Sequence, residues 1–257
     1  MMMRRFVLGA LLAVVVALVP ARASAATIQL GFILDRSGSI GSSNWTVITN
    51  GLSTAVNSFI PVGGSNTYEV SVVAFDDSAT IAVANFLVSD AAARTSLANQ
   101  IVAIPFTGGS TDYADAFAAM QNALDNTIAG AAFSYVNFAT DGAPDNNSTG
   151  IAARNALIAI GIDNISVEGI GVNSGTATNL IDNYCYPGPC DTVAPFNFPQ
   201  QGFYIGVANA QGYAAAIGNK LQVVTETDVP EPATWALLGL GLAGVVAARR
   251  RASKNQI

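Results

Sequence analysis

The apolar residues of this chain fall into two kinds of segment, which alternate along its middle part. Short and nearly continuous apolar runs are typical of buried strands, whereas longer runs with a spacing of three and four residues are typical of helices. The short runs predict strands at residues 28–34, 68–75, 80–86, 135–139, 165–172 and 203–207. The longer runs predict helices at residues 44–60, 90–102, 112–126, 151–160 and 211–224.

This alternation predicts an α/β fold, with a doubly wound, mostly parallel sheet and helices on both faces. The segment "VVAFDDSATIAV" is different, because a turn at Asp76-Asp77 joins two strands and predicts one antiparallel edge strand. Residues 184–202 have no clear period and predict an irregular insert. We expect one side of the helix at 112–126 to face the core, with Ala114, Phe117, Ala118, Gln121 and Leu124.

Both ends of the chain have the composition of targeting segments. Two arginines precede an apolar run at residues 6–19, and small residues follow, which predicts a signal peptide over residues 1–25. A transmembrane anchor is the alternative, but the run is shorter than the roughly 20 residues that a spanning helix needs. At the other end, a short transmembrane segment is predicted at about 234–248, followed by three arginines that would stay in the cytoplasm.

The last residues resemble the PEP-CTERM sorting signal of Gram-negative bacteria. The resemblance covers residues 229–251 and has three parts in order, which are Pro230-Glu231-Pro232, an apolar helix and an arginine cluster. It implies transient anchoring in the inner membrane, processing by an exosortase-type protease, and an association with exopolysaccharide and biofilm. We therefore expect an exported protein of the cell surface or extracellular matrix, with a sorting tail at residues 229–257. A plain tail anchor is the alternative.

The region between these ends is strongly acidic. Residues 26–228 are long enough for one domain with a full core. From residue 26 to residue 229, four bases stand against sixteen acids, a net charge of −12. Such a surface repels nucleic acid and anionic membranes and attracts cations, so neither nucleic acid nor a membrane surface is expected as a partner. The chain has no histidine, which excludes a Ser-His-Asp triad and favours a protein that is not an enzyme.

The two cysteines of the chain lie close together in "CYPGPC", as Cys185 and Cys190. The Pro-Gly-Pro sequence between them favours a tight turn, and export favours oxidation, so we predict that they form a disulfide. A zinc site is the competing interpretation. It lacks ligands, because there is no other cysteine and no histidine.

Oxygen-bearing side chains follow the ends of predicted strands at three places. Asp35, Ser37 and Ser39 follow the first strand, Thr111 precedes the helix at 112–126, and Asp141 follows the strand "YVNFA". We expect these loops to meet, since the carboxyl ends of parallel strands lie at one edge of the sheet. Two carboxylates and three hydroxyls are hard ligands, which favour Mg²⁺, with Mn²⁺ or Ca²⁺ as alternatives, over zinc or copper.

The same residues resemble the metal-ion-dependent adhesion site of von Willebrand factor type A domains. "DRSGS" matches the D-x-S-x-S motif of that family, "GGST" contains the threonine and "TDG" the distal aspartate, and the resemblance extends over about 27–224. It implies a Rossmann-like fold. It also implies that five residues are the metal ligands: Asp35, Ser37, Ser39, Thr111 and Asp141. Ser110 is a second hydroxyl in the middle loop and a competing ligand.

The resemblance implies an adhesion or protein-interaction module. A divalent cation with one open position would bind an acidic group of a partner, which would be a protein or an acidic polysaccharide. Two other functions are alternatives to an adhesion module. The metal could serve only to stabilise the loops of a structural matrix component, or it could serve a metal-assisted hydrolase, which would lack a general base of the usual kind. The polar residues 145–147 beside the site are expected to form a solvated loop.

Overall fold

The structure is a computed structural model, and it describes residues 26–226. These residues belong to one compact unit, Ala26–Val229. Its strands are β1 (Ala26–Asp35), β2 (Asn66–Phe75), β3 (Ala79–Val88), β4 (Phe133–Thr140), β5 (Asn164–Ile170) and β6 (Tyr204–Val207). Its α-helices are α1 (Gly41–Phe59), α2 (Ala91–Val102), α3 (Tyr113–Leu124), α4 (Asn147–Ala159), α5 (Ser174–Asn183) and α6 (Ala210–Glu226).

The six strands form one sheet in the order β3-β2-β1-β4-β5-β6. The neighbours are parallel except for β2 and β3, which are antiparallel, so the predicted mixed sheet with its antiparallel edge strand is confirmed. The chain runs outward from β1 in both directions. The order of strands therefore reverses between β1 and β4, and their carboxyl ends, at Asp35 and Thr140, lie side by side at this reversal point.

Helices cover both faces of the sheet, which explains why the parallel strands are apolar on both sides. The core on one face contains Trp45 of α1, Leu97 of α2 and Ile217 of α6. The core on the other face contains Phe117 of α3 and Leu157 of α4, and it also includes a side chain of α5. We refer to these two layers as the α6 face and the α3 face.

The helices α1 and α6 approach each other very closely at Gly51. A Cβ atom added there would lie 2.6 Å from Cβ of Ala214 and 2.7 Å from its Cα. A glycine is needed at this point because backbone lies directly opposite. The contact fixes α6, the last described element, against the helix that follows the first site loop.

The structure differs from the predicted elements in three places. The helix α5 was not predicted, because Leu180 is its one buried side chain and a single buried position gives no helical period. The helix α4 begins four residues earlier than predicted, at Asn147, with Asn146 as its N-cap. The predicted buried side of α3 is wrong for Ala114, Ala118 and Gln121, which are half-buried. Its buried side chains are Tyr113, Ala116, Phe117, Met120, Ala123 and Leu124.

The cysteine segment is irregular, as predicted, but it is well anchored. Cys185 and Cys190 form a disulfide, which confirms the predicted pairing. The neighbouring Tyr184 is fully buried, and the rings of Phe196 and Phe203 stack with centroids 4.5 Å apart. Aromatic packing therefore holds this insert against the sheet edge near β6.

Every basic side chain of the described residues is at least half-buried. These bases are Arg36, Arg94, Arg154 and Lys220. The first and the last are buried and form ion pairs with Asp76 (3.2 Å) and Glu168 (2.8 Å). The other two donate to the backbone carbonyls of Ile60 (3.0 Å) and Cys185 (2.6 Å). The exposed charges of residues 26–226 are thus acidic.

Within the described part of the chain, no helix has both the length and the apolar character that crossing a membrane requires. The predicted signal peptide at residues 1–25 and the predicted tail segment at about 234–248 lie outside the described residues. Both stay predictions.

Candidate metal site

The first loop of the site begins at the last residue of β1. Asp35 is buried, and its Oδ1 accepts a hydrogen bond from the backbone N–H of Ser37 (2.8 Å). This bond tightens the turn, so the hydroxyls of Ser37 and Ser39 come within 3.1 Å of each other. The alternating oxygens of "DRSGS" thus converge on one point instead of pointing to opposite sides.

Two hydrogen bonds join this first loop to the loop that follows β4. Ser39 Oγ donates to Asp141 Oδ1 (2.7 Å), and Thr140 Oγ1 donates to Asp35 Oδ2 (2.7 Å). Both partners come from the adjacent carboxyl ends of β1 and β4. The reversal point of the sheet therefore brings together the two aspartates that the sequence places more than a hundred residues apart.

The middle loop, which precedes α3, completes the site. The backbone N–H of Gly38 donates to the carbonyl of Gly109 (2.8 Å), which joins this loop to the first one. Thr111 borders the Asp141 turn, because a Cβ atom added to Gly142 would lie 3.9 Å from Thr111 Oγ1. The five predicted ligands therefore lie together at one edge of the sheet.

The geometry separates the two hydroxyls that the sequence left in competition. Both the backbone N–H and the hydroxyl of Ser110 donate to Oδ1 of Asp77, each at 2.6 Å. Ser110 is therefore held towards the β2–β3 turn, while Thr111 lies beside Asp141. This placement favours Thr111 as the ligand from the middle loop.

Three further residues support the site, and the sequence had indicated only Asp145 among them, within the polar segment 145–147. Thr140 bonds Asp35, as described above, and the hydroxyl of Tyr113 lies 3.1 Å from Thr140 Oγ1 and donates to the carbonyl of Gly142 (2.6 Å). Asp145 accepts from the backbone N–H of Thr111 (3.2 Å) and donates its own N–H to the Thr111 carbonyl (3.0 Å). Residues 145–147 are therefore not simply a solvated loop. Thr140 could have been found in the sequence as the first residue of "TDG".

The two aspartates of the site are close together without a basic partner. Burial raises the pKa of Asp35 to about 6, and the nearby charge of Asp141 adds to that shift. Burial also raises the pKa of Asp141. Arg36 is adjacent to Asp35 in sequence but pairs with Asp76. No base in residues 26–226 forms an ion pair with either site aspartate, so the charge balance of the site calls for a cation.

The donor set fits a hard divalent cation. Magnesium and calcium prefer carboxylate, hydroxyl and water oxygens, and five such side chains converge here. Among the described residues, no three Cys, Asp or Glu side chains cluster as a metal site. A metal ion bound here would therefore also need the hydroxyls as ligands. Metal binding by Asp35, Ser37, Ser39, Thr111 and Asp141 stays a prediction.

The comparison with protein families decides what kind of domain this is. The model of the von Willebrand factor type A domain matches residues 29–198, which is more than half of the chain. The chain belongs to the von Willebrand factor type A domain family. All three loops of the candidate metal site lie inside the matched range. The von Willebrand A unit of this chain also includes β6 and α6, which follow the matched residues.

Solved structures share the von Willebrand A fold at low sequence identity. The pilus adhesin SpaC of Lactobacillus rhamnosus GG has a TM-score of 0.63 and 12% identity over 78% of this chain and 31% of its own. Proximal thread matrix protein 1 of the mussel byssus has a TM-score of 0.57 and 15% identity, over 79% of this chain and 47% of its own. A von Willebrand factor type A protein of Catenulispora acidiphila has a TM-score of 0.56 and 15% identity, over 80% of this chain and 44% of its own. This chain spans less than half the length of each.

Two further comparisons concern the rest of the chain. The PEP-CTERM protein-sorting motif matches residues 228–251, which confirms the recognition of the tail. A sorting motif of this kind implies export and a location at the cell surface or outside the cell. The search of curated proteins finds no match.

Proposed function

We propose that this protein is a surface or extracellular adhesion module that binds an acidic group of a partner through a divalent cation. The observation that carries the proposal is the convergence of two aspartates and three hydroxyls, with no base paired to them, at the reversal point of the sheet. The partner is a protein or an acidic polysaccharide. The proposed role is binding rather than catalysis.

The composition of the site favours an outside carboxylate. Ser37, Ser39 and Thr111 are neutral donors, so only Asp35 and Asp141 would compensate the charge of a divalent ion. A bound cation would still act as a Lewis acid towards a ligand at its open position. Asp141 also lines a polar groove with Asn44 and Asn209, which would receive the side chain or sugar that carries the acid.

Proteins of the same fold support this proposal. SpaC is a pilus adhesin and the byssus protein is a thread matrix protein, so both belong to attachment structures. Another structure of the byssus protein, with a TM-score of 0.54 and 15% identity, has zinc in its metal-ion-dependent adhesion site (MIDAS) motif. For this chain we propose Mg²⁺ as the cation, with Mn²⁺ or Ca²⁺ as alternatives, because all five donors are hard oxygens.

Binding to acidic polymers tests the function. The mature protein is expected to bind immobilised polyglutamate or alginate in Mg²⁺ and to lose at least about tenfold in affinity in a chelator, since the cation makes the contact. Surface plasmon resonance measures this loss and its recovery when Mg²⁺ returns. Asp182→Ala removes a charge from exposed α5 and should bind like wild type. Binding that persists unchanged in the chelator would instead favour a matrix component in which the metal only stabilises loops.

The tail carries a separate part of the proposal. We expect the arginines at 249–251 to hold the C-terminus in the cytoplasm during export through the inner membrane of a Gram-negative cell. An exosortase-type protease would then cleave near Pro230-Glu231-Pro232 and free the domain. Intact-mass analysis of the surface form from its native host should show a C-terminus near this motif. A surface form that still ends at Ile257 would identify the tail as a plain anchor.

A further inference from the structure

Lys220 is the only lysine between residues 26 and 226, and it is buried. It lies on α6 with 4% of its surface exposed, and its Nζ donates to Oε1 of Glu168 on β5 at 2.8 Å. Lysine is almost never fully buried, and a buried ion pair is often no more stabilising than apolar side chains of the same volume. The position of this lysine therefore calls for an explanation other than stability.

A carboxamide occupies the other oxygen of the same carboxylate. Nδ2 of Asn137 on β4 donates to Oε2 of Glu168, and Oδ1 of Asn137 has no hydrogen-bond partner among the described residues. Asn137 lies beside Ser166 in the sheet, and Glu168 follows two residues later on the same face. One carboxylate therefore contacts both an amine and a carboxamide, and all three groups lie in the α6 face.

The surroundings of this cluster are mostly apolar and buried. Glu168 has no exposed surface, and the ring of Phe203 lies 4.9 Å from Nζ of Lys220. Buried Tyr213 and Ile217, on the same helix as the lysine, belong to the surrounding core. Burial lowers the pKa of Lys220, which makes the neutral, nucleophilic amine easier to form. This burial also limits the access of water, the main competitor for a reactive carboxamide.

We propose that Lys220 and Asn137 form an intramolecular isopeptide bond, with Glu168 as the catalytic acid and base. Glu168 takes a proton from the ammonium, and the free amine attacks Cγ of Asn137. The new C–N bond forms as the bond from Cγ to Nδ2 breaks, and Glu168 gives its proton to the leaving nitrogen. Glu168 then passes the second proton lost by Nζ to the released ammonia. The lysine ammonium and the carboxamide become a secondary amide and an ammonium ion, with no oxidant and no further reactant.

The bond would join two elements that matter for the proposed attachment. The strand β4 leads directly to Asp141, and α6 ends at Glu226, just before the matched sorting motif. If the adhesive function holds, a pulling force on a partner bound at the metal site would be transmitted from β4 to α6 through a covalent bond. The bond itself does not depend on that function, because none of its three residues belongs to the metal site.

Mass spectrometry of the mature protein tests the bond. After reduction of the disulfide and assignment of both termini by peptide mapping, wild-type protein should be lighter than its sequence by one ammonia. Trypsin should not cleave after Lys220 and should instead release a linked peptide that contains residues 95–154. A wild-type mass equal to the sequence mass, with normal cleavage after Lys220, would overturn the proposal whether or not the protein binds metal or an acidic partner.

Two variants separate the bond from an ordinary ion pair. Lys220→Arg keeps a positive charge opposite Glu168 but cannot form this amide, and Glu168→Gln keeps the shape but cannot carry the proton. Both should have their full sequence mass, and the thermal midpoint of Lys220→Arg should fall clearly below that of wild type. Complete bond formation in Glu168→Gln would contradict the role of Glu168. If a variant fails to fold, the wild-type mass alone still decides the main question.

Discussion

Replacing Asp141 with alanine is expected to lower Mg²⁺ affinity by about 100-fold or more while the domain stays folded, since even supporting residues of metal sites cost 10–100-fold when they are lost. Asp141 is one of two carboxylates in the site, so its loss removes half of the negative charge facing the cation. The side chain lies at the end of a loop and contributes little to either core. In the absence of metal, the change also removes an acid that opposes the ionisation of Asp35.

Isothermal titration of the mature protein with MgCl₂ measures this effect, and circular dichroism reports the fold. Asp182→Ala is the matched control, because it removes the same side chain from exposed α5. Wild type should also gain thermal stability as Mg²⁺ rises, by about 2.7 kcal/mol when the free ion exceeds Kd by 100-fold. Asp141→Ala should show almost no such gain at the same concentrations. Equal titration heats in Asp141→Ala and wild type would refute the assignment of the site.

Replacing Trp45 with alanine should reduce the free energy of unfolding by about 3–5 kcal/mol, the usual cost of removing a large buried aromatic side chain. Only 3% of Trp45 is exposed, and it packs in the α6 face. Its Nε1 also donates to the carbonyl of Ile104 (2.8 Å), so the variant leaves a buried backbone acceptor without its partner. Urea unfolding followed by circular dichroism measures the loss.

Trp45 also connects two parts of the metal site. It lies near the start of α1, directly after the loop of Ser37 and Ser39, and Ile104 lies ahead of the loop that carries Thr111. The matched variant Trp45→Phe keeps most of the apolar volume and removes the N–H together with part of the indole ring. This variant should reduce the free energy of unfolding by about 1–3 kcal/mol, the penalty for one unsatisfied buried hydrogen-bonding group. A loss in Trp45→Phe as large as that in Trp45→Ala would mean that the hydrogen bond, and not packing, fixes this helix.

The fold was predictable where burial leaves a clear period in the sequence. The strands β1, β2, β4 and β5 are covered on both faces, so their apolar runs identified them and their parallel arrangement. The helix α5 has a single buried side chain and therefore left no pattern. The predicted buried side of α3 was wrong at Ala114, Ala118 and Gln121. The core-facing side instead includes Tyr113, which turns its ring into the core and its hydroxyl towards Gly142. The residue type alone does not show whether a tyrosine ring is buried or exposed.

The five candidate ligands were predictable because each follows or precedes a recognisable element. The residues that hydrogen-bond to these ligands were not predictable as supports, since their role depends on contacts between distant segments. The bond from Thr140 to Asp35 spans 105 residues, and the bond from Asp145 to Thr111 spans 34. The cluster of Asn137, Glu168 and Lys220 was hidden for the same reason, because its members come from β4, β5 and α6 and carry no local motif.

Every base in residues 26–226 is at least half-buried, which has a consequence for how partners would arrive. The outward-facing charges are acidic, so the field of the protein would repel the proposed acidic polymer until the polymer is close to a cation in the candidate metal site. Dissolved salt shortens the reach of that field to about 10 Å at 0.1 M ionic strength. Encounter with an acidic polymer should therefore become faster as salt is added, the reverse of a basic protein that steers its ligand inward. If the proposed function holds, attachment would be faster in saline surroundings than in dilute ones.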